Sequence, residues 1–517
     1  MEGTRRKGLL RLHAQLAAKP TTAVSGSSAP RAPSGRLNLA VFCFTALIFL
    51  AASIHLITQL GITGDEPAYL LQGYVILHFQ TLNMTYAVHD PRIYLQFFNH
   101  SPTDRVYDFR GSGVELIAYL PGYPLIASLL YLLGGRLLIV VVQSLAGALT
   151  ALLVFQKSLR FWQSHAVGVF TTVAYISALP ALLFAGQVFP SMLATLAAMV
   201  AFVLVTSALP SARGRRLLLI AASVGLIVAL LPWLHVRYAP LAVCITGAAL
   251  LQLVPSARER RGLRTASLPA GENGQSPATA PDSAPTRHWS WLAAVAVSSL
   301  LVLSFALIVL YSLHYFGTWY PQYRVQPSTS FIVPDLGHML QIYQEILFAA
   351  NSGLIPWVPL MLLVPAGLLA LARHNLRIAA LTLLWILGLL SAFLASAVAV
   401  HVNQAYALPA RFTVECQPYF VLSVASLFAL GWPRVRTLLA GSTVKLTGRD
   451  IALRFLTWQT AVTLICVLLL VADAWFTLVA QFDLSSLYPS REGLRLLAVY
   501  PHLLPGWWFS HFVFQQP

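Results

Sequence analysis

Apolar runs long enough to cross a bilayer recur from Leu37 into the C-terminal part of this chain. The hydrocarbon core of a membrane takes a helix of about 20 residues, and in lipid every peptide N–H and C=O has to be bonded within its own segment. Repetition of such runs restricts the chain to an all-α polytopic membrane fold. Composition agrees: 57% of the 517 residues are hydrophobic and 10% charged, against about 45–50% apolar residues in a soluble domain. The first run, Leu37 to Leu60, exceeds the apolar core of a cleavable signal, about 7–15 residues, and reads as a retained helix.

The chain carries 33 Lys and Arg against 17 Asp and Glu. Nucleic-acid binding is not the explanation, because the basic residues lie in short stretches flanking apolar runs rather than along one amphipathic face. They fall in the arm 1–36, in "RGRR" at Arg213, Arg215 and Arg216, in the Pro/Ser/Gly-rich linker 255–288, at Arg373 and Arg377, and from Arg434 to Arg454. The positive-inside rule places all of these in the cytoplasm. The cysteines, Cys43, Cys244, Cys416 and Cys466, sit in or beside apolar runs without pairing or metal-ligand spacing.

Spans are expected at 38–60, 114–134, 137–156, 166–186, 187–208, 214–233, 236–254, 289–312, 353–371, 378–400, 413–432 and 455–480. Counted backwards from the basic loops, residues 313–352, 401–412 and the tail 481–517 lie outside. Counted forwards, Lys157 and Arg160 lie outside too, so the two counts differ by one crossing. One apolar segment between residues 113 and 208 is therefore expected to be broken, re-entrant or interfacial. The resulting organisation is a cytoplasmic arm (1–36), a transmembrane region (37–480) with an outer loop at 61–112 and a cytoplasmic linker at 255–288, and an outer tail.

The first outer loop concentrates polar chemistry. It holds Asp65, Glu66, Asp90, Asp104 and Asp108 together with His78, His89, His100 and Arg92. Its opening, "TGDEPAYLL", puts Asp65 and Glu66 directly after the first span, with Pro67 at a helix-start position. The apolar stretch Pro67 to Phe79 is too short to span and is expected to lie along the interface. Two roles suit the acidic pair. One of them caps this helix, or one is a general base that deprotonates an incoming hydroxyl beside a lipid-borne electrophile.

Beyond the acidic pair, "YLPGYPL", "HYFGTWYPQY", "GLIPWVPLMLL" and "YALPARF" recur at the ends of later spans. Together these motifs resemble the GT-C superfamily of integral membrane glycosyltransferases, most nearly the protein O-mannosyltransferases and the lipid A aminoarabinose transferases. The resemblance runs from about Leu37 to Ala480 and its most specific element is the acidic pair. It implies a bundle of about 11–13 transmembrane helices with short interfacial helices in the first outer loop. It also implies a sugar donor on a polyprenyl phosphate, inverting transfer to a hydroxyl of a lipid, glycan or protein acceptor, and an active site on the outer face of a bacterial inner membrane. Asp65 would be the catalytic base, with Glu66 beside it.

The residues fit such a donor. No GxGxxG follows a predicted strand and no GxxxxGK[ST] occurs, which disfavours a nucleotide sugar, and no cofactor is required. A lipid-phosphate leaving group needs positive charge and hydrogen-bond donors rather than an acid. Arg411 in "YALPARF" is the first choice for the donor phosphate, Arg237 with His235 in "PWLHVRY" the second, and Arg324 in "PQYRV" the third. Asp90 and His89 in "VHDPRIY" are open to three roles: orienting the acceptor, holding a divalent cation with Glu66, or, for Asp90, pairing with Arg92. Their spacing matches no metal motif, so metal dependence stays open. The rival class is a transporter or flippase of a lipid-linked glycan, for which Glu415 and Asp473 in or beside apolar spans speak. A ligase joining whole glycans is a third reading.

Overall fold

The computed structural model describes residues 35–59, 62, 65–98, 107–108, 113–117, 119–253, 284–319, 343, 347–348, 354–397, 411–439 and 458–482. The expected arm, linker and tail fall largely or wholly outside the described residues. Within them the chain is helical except for a short antiparallel hairpin, β1 (Tyr107–Asp108) with β2 (Glu115–Leu116), in which Tyr107 faces Leu116.

The first span is α1 (Gly35–Gln59), followed by α2 (Glu66–Phe79) and two short helices, α3 (Thr85–His89) and α4 (Pro91–Tyr94). The next element, α5 (Gly122–Trp162), is broken at Gly134 and Gly135. Gly135 has φ +63°, a left-handed conformation that costs glycine little and a side-chain-bearing residue much more. The arm before the break, Gly122 to Leu133, is about 18 Å long at 1.5 Å per residue, well short of the ~30 Å a span requires. It packs on α2: the Ser128 hydroxyl donates to the Leu70 carbonyl at 3.0 Å, and a Cβ on Gly73 would collide with Ser128 and Pro124.

The stretch 114–134, expected as a span, is thus a short arm paired with the loop helix. Removing it as a crossing reconciles the two topology counts, and Lys157 and Arg160 join Arg213, Arg215, Arg216, Arg373 and Arg377 at one basic end of the bundle.

The following apolar run is also discontinuous. Helix α6 (His165–Ile176) and α7 (Leu179–Ala185) meet at 60°. Pro180 is the cause: it has no N–H to offer the carbonyl of residue 176, and its ring clashes with it. At the same break Thr477 donates to the buried Ser177 carbonyl at 2.5 Å.

Then come α8 (Ser191–Val203), extended through a π turn at Leu204–Ala208, α9 (Gly214–Leu234), α10 (Ala239–Leu253) and α11 (Ala284–Phe316). After the short α12 (Leu354–Trp357), α13 (Val364–Ala397) breaks at Asn375, whose side chain caps the second half by accepting from the Ile378 N–H at 3.0 Å. The last two are α14 (Gln417–Leu439) and α15 (Trp458–Phe482).

Among the described residues nine helices are long and apolar enough to cross a membrane, or ten with the bent α6–α7 pair counted as one span. The chain is an all-α, multi-pass integral membrane protein.

Candidate active site

Asp65 occupies the N-cap position of α2, but with helical φ/ψ (−89°, −9°) and no capping hydrogen bond from its side chain. Its carbonyl does the local work, accepting from the Tyr69 N–H at 3.1 Å. The carboxylate is buried, with the residue 8% exposed. Of the two roles open to this carboxylate, capping is not the one it performs.

Glu66, the first residue of the helix, is fully buried. One oxygen, Oε1, accepts from the Val188 N–H at 2.5 Å and the other lies 3.5 Å from Arg136 Nη2. Arg136 follows the Gly134–Gly135 break directly, so the glycine kink is what aims it at the start of α2. Glu66 thereby ties three segments together that are 70 and 122 residues away in sequence.

Val188 belongs to the turn between α7 and α8, residues 186–190, and this turn receives support from every side. Gln143 donates to the Phe189 carbonyl at 2.5 Å and to the Tyr123 hydroxyl at 3.2 Å. Ser191, the first residue of α8, accepts from Arg237 Nη2 at 2.9 Å. The Phe189 ring lies 6.0 Å from that of Tyr69, which also meets Tyr119 at 4.6 Å and Tyr123 at 5.2 Å. Tyr119 in turn faces His235 at 6.3 Å. One aromatic layer therefore joins the start of α2 to the α9–α10 turn.

That turn holds the second carboxylate–arginine pair. Arg237 Nη2 reaches Glu415 Oε1 at 2.6 Å and the Tyr238 hydroxyl at 2.6 Å, while Tyr238 also donates to Glu415 at 2.5 Å. Both charged groups are buried, their side chains 7% and 1% exposed. Since helices alternate direction, Asp65, Arg136, Val188, Arg237 and Glu415 all lie at the end of the bundle opposite the basic one. There Glu66, Arg136 and Val188 are linked, and Arg237 joins Glu415 to Ser191 at the end of the same turn.

The other residues expected at the site are distributed unevenly. Arg411 opens the 3-10 turn Arg411–Cys416 at this same end, but its side chain lies outside the described residues, as does all of Arg324. Arg237 is present, yet its Nη2 is committed to Glu415, Tyr238 and Ser191 rather than turned toward a ligand. His235 accepts from the Arg237 backbone N–H at 3.1 Å through Nδ1, which leaves its ring facing Tyr119.

Asp90 caps α4, accepting from the Arg92 backbone N–H at 2.8 Å, so it binds the main chain of Arg92 and not its guanidinium. His89 is exposed and sits 3.4 Å from Glu115 in the hairpin. Neither is joined to the Glu66–Arg136 pair by a described contact. Among the described residues no three His, Cys, Asp or Glu side chains gather as metal ligands.

Arg136 escaped the sequence reading, and Lys157 entered it only as a marker of topology. Arg136 carried a usable signal: in "LLGGRLLIV" it stands alone between apolar stretches, on the acidic side of the membrane where the charge rule disfavours it. Lys157 is fully buried near the basic end, its ammonium donating to Thr206 at 2.5 Å and Ser207 at 2.6 Å on the π turn.

Fold and site together define a multi-pass, all-α membrane protein with buried acidic chemistry gathered at one end of its bundle. Compared with solved structures, the chain is similar over 92% of its length, and over 76% of theirs, to two structures of ArnT from Cupriavidus metallidurans. It is 15% identical to each, with TM-scores of 0.45 for the form bound to undecaprenyl phosphate and 0.42 for the apo form. A likeness at this level assigns no activity. No family model matches the chain, and no curated protein matches it.

Proposed function

We propose that this protein is a membrane glycosyltransferase that moves a sugar from a polyprenyl-phosphate donor to a hydroxyl acceptor at the outer membrane face, with Asp65 as general base. The observation that carries the reading is a buried acidic pair at the first turn after the first span. Glu66 is fixed by Val188 and Arg136, whereas Asp65, beside it and buried, gives its helix no capping bond. A buried carboxylate at the first turn after a span, beside a neighbour fastened to two other segments, suits proton abstraction. The positive-inside rule supports an outer position for Asp65, at the end of the bundle away from the basic loops.

The chemistry balances without an added reagent. The acceptor oxygen attacks the anomeric carbon from the face opposite the phosphate, and its proton passes to Asp65. The bond between the anomeric carbon and the phosphate oxygen breaks, and the polyprenyl phosphate departs as a monoester anion. Attack from the opposite face inverts the anomeric centre. Arg411, at the start of its 3-10 turn on the same end, is the residue assigned to the departing phosphate, where charge grows in the transition state. The transporter alternative draws on Glu415 and Asp473; one oxygen of each is bound, Glu415 Oε1 by Arg237 and Asp473 Oδ1 by the Leu360 N–H at 3.2 Å, and the other oxygen of each is buried without a hydrogen bond.

Mass spectrometry of lipid extracts and envelope glycans from cells with and without the protein tests the reading. Loss of one glycosyl modification, with accumulation of a polyprenyl-phosphate sugar, is the expected result. An unchanged glycan pool with a lipid-linked sugar trapped on the inner leaflet would favour the flippase instead.

A further inference from the structure

Glu415 lies in the 3-10 turn Arg411–Cys416, which leads directly into α14. A turn of this kind has poor hydrogen-bond geometry and little stability of its own. Besides the packing of its buried Thr413, Val414 and Cys416, it is tied by one carboxylate oxygen, Glu415 Oε1, which accepts from Arg237 Nη2 and from the Tyr238 hydroxyl, while the same Nη2 donates to Ser191. These side chains come from three interhelical connections, and Glu415 is 178 residues from Arg237. Three residues before Ser191, the Val188 N–H donates to Glu66. The 186–191 segment is therefore fastened to the start of α2 on one side and, through Arg237, to the 411–416 turn on the other.

Charge decides what Arg237 can do. A phosphate needs net positive charge, but Arg237 and Glu415 form a buried pair whose charges cancel. Turning the guanidinium away would leave a buried carboxylate uncompensated. We propose that Arg237 and Glu415 are positioning residues: the pair holds the Arg411–Cys416 turn in register with the Glu66-anchored segment, and so sets the distance between the donor phosphate and the base. The inference rests on the glycosyltransferase reading for what the turn binds, while the fastening itself does not depend on it.

The test uses the full-length protein in lipid nanodiscs with three variants: Glu415→Gln, Arg237→Met, and Arg237→Met combined with Glu415→Leu. The double variant is included because replacing both partners of a buried ion pair by apolar side chains is often neutral for stability, whereas removing one is not. Hydrogen–deuterium exchange of the 411–416 amides reports the fastening. It should quicken by about tenfold or more in the double variant, with the 66–79 amides unchanged.

Affinity for undecaprenyl phosphate, measured alongside, should fall by about ten- to a hundredfold in all three, the double being no worse than either single. Unchanged exchange at 411–416 in the double variant overturns the proposal. So does a loss of affinity in Arg237→Met with none in Glu415→Gln, the pattern of a direct phosphate contact. If the unmodified protein itself fails to bind undecaprenyl phosphate, the glycosyltransferase reading falls, and the exchange measurement still decides the positioning claim.

Discussion

Replacing Asp65 by Asn separates catalysis from architecture more sharply here than at most catalytic carboxylates. The side chain supplies no cap bond to α2, so the usual cost of losing an N-cap, about 0.5–2 kcal/mol, does not apply. The favourable interaction of a negative charge with the helix dipole contributes about 0.3–1 kcal/mol, and Asn in its place should change stability by an amount of that order. Asn fills the same space but cannot take the proton. General-base catalysis contributes about two to four orders of magnitude, equivalent to roughly 2.7–5.5 kcal/mol of barrier at 1.36 kcal/mol per tenfold. The assay is release of polyprenyl phosphate from a lipid-linked sugar in nanodiscs, with undecaprenyl phosphate affinity and thermal melting measured on the same preparation. The expected outcome is a rate loss of that size with binding and melting nearly unchanged. Transfer at the normal rate would refute the base assignment, and a large melting shift would show that Asp65 is structural after all.

Glu66 should behave in the opposite way. Its two oxygens serve a backbone N–H and Arg136 in a fully buried setting, so Glu66→Gln should destabilise by about 2–3 kcal/mol, visible as a lowered melting temperature whether or not donor is present. Gly135→Ala forces a Cβ into φ +63° and should cost about 1 kcal/mol, with a larger loss of activity because the kink aims Arg136; melting and transfer assays check the two parts. Lys157→Met should leave stability unchanged or raise it by about 1 kcal/mol. It removes a buried charge that no carboxylate pairs among the described residues, and thermal melting in nanodiscs would show a loss if the ammonium were needed to hold the π turn.

The sequence by itself determined that this chain is a bundle of membrane-crossing helices, because span length and apolarity are properties of a continuous segment and lipid leaves the backbone no other way to satisfy its hydrogen bonds. It also showed that one crossing between 113 and 208 was surplus. Only the structure located it, since Gly122 to Leu133 is as apolar as a true span and is distinguished by the Gly134–Gly135 break and its seat on α2.

The acidic pair was legible as a pair; that Glu66 is the member fastened to two other segments was not. That depends on Val188 and Arg136, whose approach is set by the packing of three helices and leaves no local pattern in the chain. Arg237 makes the same point: its neighbours in sequence suggested a ligand-facing turn, and its neighbour in space is Glu415. A buried charge takes the partner that folding brings within reach, and partners 178 residues apart are chosen by tertiary structure alone.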